Sequence, residues 1–203
     1  MTVGLAGIVL AGGKSRRFGS DKAAAVLGGR SLLEWVVTSA SQVCDPIIIV
    51  RARGQALPNF AREAEEVEDF VEAAGPVAGL IAGLRVCSSE LAFATSCDAP
   101  LLRPAVIEFL ASRAAGHAGA IAEVGGFRQP LVAVYRVEDA RSALEASFAG
   151  GNGTLTAAVA MLDLAVVTAD DLVKLDPALE SFRNANQPDV LEEMAHILES
   201  RRK

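Results

Sequence analysis

Short apolar runs alternate along the chain with stretches that carry a helical period. Leu5–Leu10, Ile47–Val50, Leu91–Ser96, Ala118–Glu123, Leu131–Tyr135 and Leu164–Thr168 are four to six residues long and apolar or β-branched. They read as strands, and the lack of apolar–polar alternation in the first three marks them as buried on both faces. Between them, apolar residues recur at 32, 33, 36, 37, 40 and 43, so residues 31–43 read as a helix with Ser31 as its cap. Pro76–Cys87 reads as a helix with close-packing glycines, and Pro104 opens another to about Ala115. Glu138–Phe148, Thr154–Leu162 and Asp189–Arg201 complete the helices. Turn-rich spots fall at 11–20, 28–30, 53–59, 74–79, 125–126 and 150–153, none long enough to link two domains.

This alternation predicts an α/β fold, a single Rossmann-like three-layer domain around a mostly parallel sheet. Ligands in such sheets sit beyond the carboxyl ends of the strands. The segments after Leu10, Val50 and Ser96 are therefore where chemistry is expected.

With 203 residues, 51% apolar and 22% charged, the chain has an ordinary globular balance. A net charge of −6 argues against non-specific nucleic-acid binding. The charge is uneven. Residues 1–60 hold seven basic and three acidic side chains, whereas residues 61–80 hold one basic and six acidic. An anionic ligand is thus expected near the N-terminal third. Three cysteines and two histidines show no metal-binding spacing, which speaks against a structural zinc and for a reducing, cytoplasmic compartment. The apolar-then-basic start has the wrong order for a signal peptide, and no apolar run approaches the roughly 20 residues that span a bilayer.

After the first strand comes Leu10-Ala11-Gly12-Gly13-Lys14-Ser15-Arg16-Arg17-Phe18-Gly19-Ser20-Asp21-Lys22. Gly12 and Gly13 let backbone approach a ligand closely, and successive N–H groups in such a loop make an anion-binding concavity. Lys14, Arg16, Arg17 and Lys22 add positive charge. Neither GxGxxG nor GxxxxGK[ST] is present, so a Rossmann dinucleotide site and a P-loop are disfavoured. What remains is a phosphate cradle or a solvated basic turn.

The whole segment resembles the signature of the sugar-phosphate and cofactor nucleotidylyltransferases, LAGGxSxRMGxDK, with Phe18 in the place of Met. It is most similar to the molybdenum cofactor guanylyltransferase (MobA-like) family, in which Gly12 and Asp21 favour guanylyl over cytidylyl transfer. Glu68-Asp69 with Gly75-Pro76-Val77-Ala78-Gly79-Leu80, Ser96-Cys97-Asp98-Ala99-Pro100, Arg128-Gln129-Pro130-Leu131 and Arg183-Asn184-Ala185-Asn186-Gln187-Pro188 resemble further family segments in the same order. The chain departs from the family's pattern at Arg51-Ala52-Arg53, where Asn residues are usual.

The resemblance implies a Mg²⁺-dependent enzyme that joins GMP from GTP to molybdopterin and releases pyrophosphate. It implies a nucleotide-binding half at about 1–100 and an acceptor-binding half at about 101–203. Leu10, Ala11, Gly12, Gly13, Lys22, Asp69 and Asp98 would bind nucleotide. Lys22, Asp98 and Arg17 would be catalytic, and Arg128, Gln129 and Arg183 would hold the acceptor. Transient contact with proteins that supply molybdopterin or receive the product would follow.

Nucleotidyl transfer needs two anions aligned and growing charge neutralised, hence cations on the triphosphate and Mg²⁺ on carboxylate and phosphate oxygens. Asp98 reads as the metal carboxylate or as a turn aspartate. Asn186 or Asn184 would add a neutral oxygen ligand. Lys22 reads as a triphosphate clamp or a surface lysine, and Asp69 as a ribose contact or one more member of the acidic surface run 63–72. Arg128 and Arg183 read as acceptor contacts or as surface residues. His117 and His196 are not expected in catalysis, and Trp35 and Phe109 fit helix core faces. Two other functions stay open: nucleotidyl transfer to another phosphorylated acceptor (CMP to molybdopterin, or an NTP to a sugar 1-phosphate or phospholactate), and a nucleotide-binding protein without activity.

Overall fold

A computed structural model describes residues 4–12, 21–60, 62–70, 75–151 and 153–201. In chain order, β1 is Leu5–Leu10, β2 Val26–Leu27, β3 Arg30–Ser31, α1 Leu32–Ala40, β4 Ile47–Arg51, β5 Glu65–Glu68, α2 Pro76–Val86 and β6 Leu91–Ser96. Then follow α3 Pro104–Arg113, β7 Gly119–Val124, β8 Phe127–Arg136, α4 Val137–Ala149, α5 Leu155–Val159, β9 Ala165–Thr168, α6 Ala169–Leu172 and α7 Pro188–Ser200.

Seven strands form one sheet in the order β5-β4-β1-β6-β8-β7-β9. β1 lies between β4 and β6 and runs parallel to both. β8 is antiparallel to β6 and to β7, so every other strand of the sheet points the same way. This is the mostly parallel sheet the apolar runs predict. Successive residues of β1 enter opposite cores: Val9 packs with Val36, Val37, Phe93, Val106 and Leu110, under α1 and α3. Ile8 packs with Ile48, Leu80, Ile81, Leu84 and Leu144, under α2 and α4. Burial on both faces is why the strands do not alternate. The close-packing role expected of the α2 glycines is visible at Gly83, where a Cβ would stand 2.6 Å from Ile8 Cγ2.

Ser31 caps α1 as expected, accepting the Glu34 amide at 3.1 Å, and Pro104 occupies the first turn of α3. Differences lie at the margins. α1 ends at Ala40 instead of 43, and α5 is confined to Leu155–Val159. β8 starts at Phe127, before the expected Leu131, because a register shift between Ile121 and Ala122 lets the strand bulge and continue. The run read as acidic surface contains β5, whose glutamates stay exposed while its backbone pairs with β4.

A third, smaller core of Leu27, Leu32, Leu101, Ala185, Met194 and Leu198 binds α7 to the β2–β3 hairpin and to the turn after β6. That core carries residues 183–187 back to the carboxyl edge of β1 and β6.

Candidate active site

β1, β4 and β6 end side by side. The Ala11 and Gly12 amides both donate to the Val50 carbonyl, at 2.8 and 3.2 Å, and the Cys97 amide donates to the Leu10 carbonyl at 3.0 Å. The turn after β1 thus lies directly on the turn after β4. A Cβ on Gly12 would stand 2.8 Å from the Ala52 nitrogen, so only glycine fits there. Gly13 and Arg17 lie outside the described residues.

Chain returns to the edge at Asp21, whose carboxylate accepts the Ala23 amide at 3.0 Å and caps the 3₁₀ turn Lys22–Ala24. From that turn Lys22 Nζ reaches Asp98 Oδ2 at 2.7 Å and Asn186 Oδ1 at 3.0 Å. Both members of the ion pair are mostly buried, with side chains 15% and 17% exposed, so the attraction is less screened than on an open surface. The Ser96 hydroxyl donates to the other Asp98 oxygen. Asp98 also accepts the Ala185 amide on its backbone carbonyl at 2.8 Å, which stitches the asparagine segment to the aspartate turn. Lys22, Asp98 and Asn186, remote in sequence, form one cluster. Asn184 is exposed, and its carbonyl accepts the Asn186 amide at 2.9 Å.

Asp98 Oδ2 and Asn186 Oδ1 converge on a single cation, the Lys22 ammonium. One anionic and one neutral hard oxygen are donor types that suit Mg²⁺. The described residues contain no group of three or more His, Cys, Asp or Glu that could hold a metal alone. A divalent ion here would therefore rely on oxygens of its substrate as well.

Asp69 follows β5 at the same edge. Its amide donates to the Arg51 carbonyl at 2.8 Å, and its Oδ2 lies 3.9 Å from the place a Cβ on Gly79 would take. Arg51 explains the departure from the asparagine pattern. Its guanidinium contacts Glu66 at 3.4 Å, Glu68 at 3.0 Å and the Gln55 carbonyl at 3.0 Å. It ties β5 to β4 instead of facing a base. Arg53 is exposed in the turn that follows.

β8 runs against its neighbours, so its first residues project past the end of β6 along the carboxyl edge. Arg128 is exposed there, opposite Glu123, and Gln129 is half-buried opposite Ala122. The buried Tyr135 donates its hydroxyl to the Pro130 carbonyl at 2.8 Å and fixes this excursion. Burial pushes the Tyr135 phenol above its ordinary range, so it stays a donor. Arg183 is differently engaged. It donates to Glu193 of α7 at 2.7 Å, a bond that raises its own pKa and lowers that of the glutamate.

The histidines stand apart, His117 beside Asp163 and His196 beside Glu199. Trp35 packs in the third core and donates to the Leu27 carbonyl at 2.7 Å, and Phe109 packs under the sheet. Cys44 and Cys97 are free thiols that burial pushes up to about 12, hence neutral and unreactive. Sequence reasoning missed Ser96, which bonds Asp98 within the cluster, and Gln55, which bonds Asp21 beside it. Nothing but proximity to Asp98 singles out the first, and the second is an ordinary polar residue in a turn.

A mostly parallel sheet, a glycine-dependent turn after its central strand, and a lysine held between acidic and amide oxygens at the carboxyl edge form a site suited to a polyanionic ligand. The family model described as MobA-like NTP transferase domain matches residues 7–162. A molybdenum cofactor guanylyltransferase of Desulfosudis oleivorans is 32% identical over 188 residues, 92% of each chain. A probable molybdenum cofactor guanylyltransferase of Mycobacterium avium is 37% identical over 76% of this chain and 80% of its own. The crystal structure of molybdopterin-guanine dinucleotide biosynthesis protein A from Archaeoglobus fulgidus superposes with a TM-score of 0.79 and 28% identity, covering 96% of this chain and 98% of that one. The chain belongs to the MobA-like NTP transferase family.

Proposed function

We propose that the protein transfers GMP from GTP to molybdopterin and releases pyrophosphate. The observation that supports this most is the cluster of Lys22, Asp98 and Asn186 beside the Leu10–Gly12 turn, in a chain whose relatives bear guanylyltransferase names. In this reading the first half, about 1–100, binds nucleotide, and the second, about 101–203, binds acceptor and returns Asn186 to the cluster.

Leu10, Ala11 and Gly12 present backbone to the nucleotide, with Gly13 expected to join them, and Asp69 faces its ribose side. Arg17 and Lys22 meet the triphosphate. Lys22 is held at its resting place by Asp98 and Asn186 and matters most where charge grows on the departing pyrophosphate. Asp98 and Asn186 would hold Mg²⁺, which when bound neutralises phosphate charge and favours attack at the α-phosphate. Ser96 holds the Asp98 carboxylate in orientation. Arg128 would take the acceptor's phosphate and Gln129 a neutral hydrogen bond, both on the Tyr135-braced start of β8. Arg183 would assist from α7's side, and reaching an acceptor costs it the Glu193 contact. No helix among the described residues is long and apolar enough to cross a membrane. A cytoplasmic enzyme that meets molybdopterin-supplying and molybdoenzyme proteins transiently fits this role.

Pyrophosphate release measured with each of four NTPs, with and without molybdopterin, tests the reading. Release that requires both GTP and molybdopterin supports it, and release with CTP and molybdopterin would reassign the base.

A further inference from the structure

The turn after β4 holds a side chain that the chemistry above does not use. Gln55 Nε2 lies 3.0 and 2.8 Å from the two Asp21 carboxylate oxygens and 3.2 Å from the Ala11 carbonyl. Its Oε1 accepts the Ala52 amide at 2.9 Å. These neighbours fix the amide's orientation, because the reverse would set its oxygen against a carboxylate and its NH₂ against an N–H. Ala11 and Asp21 bracket the glycine-rich loop, so one amide group fastens both ends. Asp21 in turn caps the turn that carries Lys22. The Gln55 backbone is itself held by two bonds: its N–H donates to the Ala52 carbonyl at 3.0 Å, and its carbonyl accepts at 3.0 Å from Arg51, which is in turn braced by Glu66 and Glu68.

We infer that Gln55 is a positioning residue that clasps the two ends of the glycine-rich loop and thereby sets Lys22 against Asp98 and Asn186. Its N–H donors and its oxygen are engaged within the protein, so it acts through Asp21 and not on substrate. The departure at Arg51-Ala52-Arg53 then has a structural purpose: Arg51 anchors the clasp to β5. The functional part of this inference rests on the nucleotidyl-transfer reading, while the mechanical part does not.

Two variants of the full chain test it. Gln55→Ala removes the side chain; Gln55→Glu keeps its shape but replaces the donor with a carboxylate facing Asp21. In nucleotide-free protein, hydrogen exchange at the Ala23 amide should rise at least about tenfold in both, as expected when a charge-assisted bond supporting its cap is lost. In steady-state turnover, KM for the NTP should rise roughly ten- to a hundredfold while KM for the acceptor holds. Wild-type exchange and NTP KM in Gln55→Glu would overturn the clasp. Faster exchange with unchanged NTP KM would overturn its positioning role. A wild type that turns over no NTP would sink the transfer reading instead, and the exchange result alone would then decide the clasp.

Discussion

The carbonyl of Asp98 accepts the amide of Ala185 at 2.8 Å, so the aspartate turn after β6 and the segment before α7 are joined through backbone. Further bonds continue the seam. Arg103 of the first segment donates from its backbone to the Ser181 hydroxyl at 3.0 Å and from its guanidinium to Glu180 at 3.0 Å, and it pairs with the fully buried Asp176 at 3.1 Å. Arg201, at the end of α7, grips Glu180 as well and donates to the Leu101 carbonyl at 2.9 Å. The Asp98–Ala185 bond runs from backbone to backbone, so the Asp98 side chain can be changed without removing it.

Asp98→Asn should lower turnover at least about a hundredfold, because it removes the carboxylate that pairs with Lys22 and is proposed for the metal. The backbone bond to Ala185 survives, so the fold should melt within a few degrees of wild type. Pyrophosphate release and thermal unfolding on the same preparation check both parts. Full activity in the variant would misplace the carboxylate's role.

Lys22→Ala should reduce kcat more than it raises KM for the nucleotide, since its charge opposes charge that grows during transfer. Steady-state kinetics in varied NTP resolve the two. A raised KM with unchanged kcat would make Lys22 a ground-state anchor only.

Acidification should reveal the Glu180 clamp. Burial raises the Glu180 pKa, but the hydrogen bonds from Arg201 and Arg103 outweigh it and leave the group below its ordinary value of 4.5. A depressed folded-state pKa contributes stability that is present above the unfolded value and lost as pH falls through the folded one. The stability difference between wild type and Glu180→Gln should therefore be constant near neutral pH and shrink below about 4.5. Denaturant unfolding across that range checks it, and a difference that grows on acidification would reverse the sign assigned here.

Arg128→Ala should raise KM for molybdopterin about ten- to a hundredfold and leave GTP affinity unchanged, the cost of one charge-assisted contact. Arg183→Ala should have the smaller effect, because Glu193 already holds that guanidinium. Calorimetric GTP titration beside acceptor kinetics separates these. Loss of GTP binding in Arg128→Ala would move it to the nucleotide side.

The parts legible in the sequence are those whose physics is local. β1, β4 and β6 announce themselves because strands buried on both faces cannot alternate. Ser31 and Pro104 mark helix starts for reasons internal to their own turns. β5 escapes the pattern: Glu65, Glu66 and Glu68 look solvated, and their side chains are, yet the β4 ladder and Arg51 make a strand of them. The start of β8 is hidden by a bulge that only pairing with β7 reveals. Lys22, Asp98 and Asn186 stand out through resemblance to family segments, but their meeting depends on the third core that returns residues 183–187 to the sheet edge. Arg183's engagement with Glu193 and the Gln55 clasp arise from tertiary neighbours that no spacing rule encodes.

The most direct measurement is pyrophosphate release by the wild-type chain in Mg²⁺, with GTP, CTP, ATP or UTP offered in turn and molybdopterin present or withheld. The account predicts release with GTP and molybdopterin together, and at least about a hundredfold less without the acceptor or with any other base. Equal or faster release with CTP, or release that ignores molybdopterin, would contradict it.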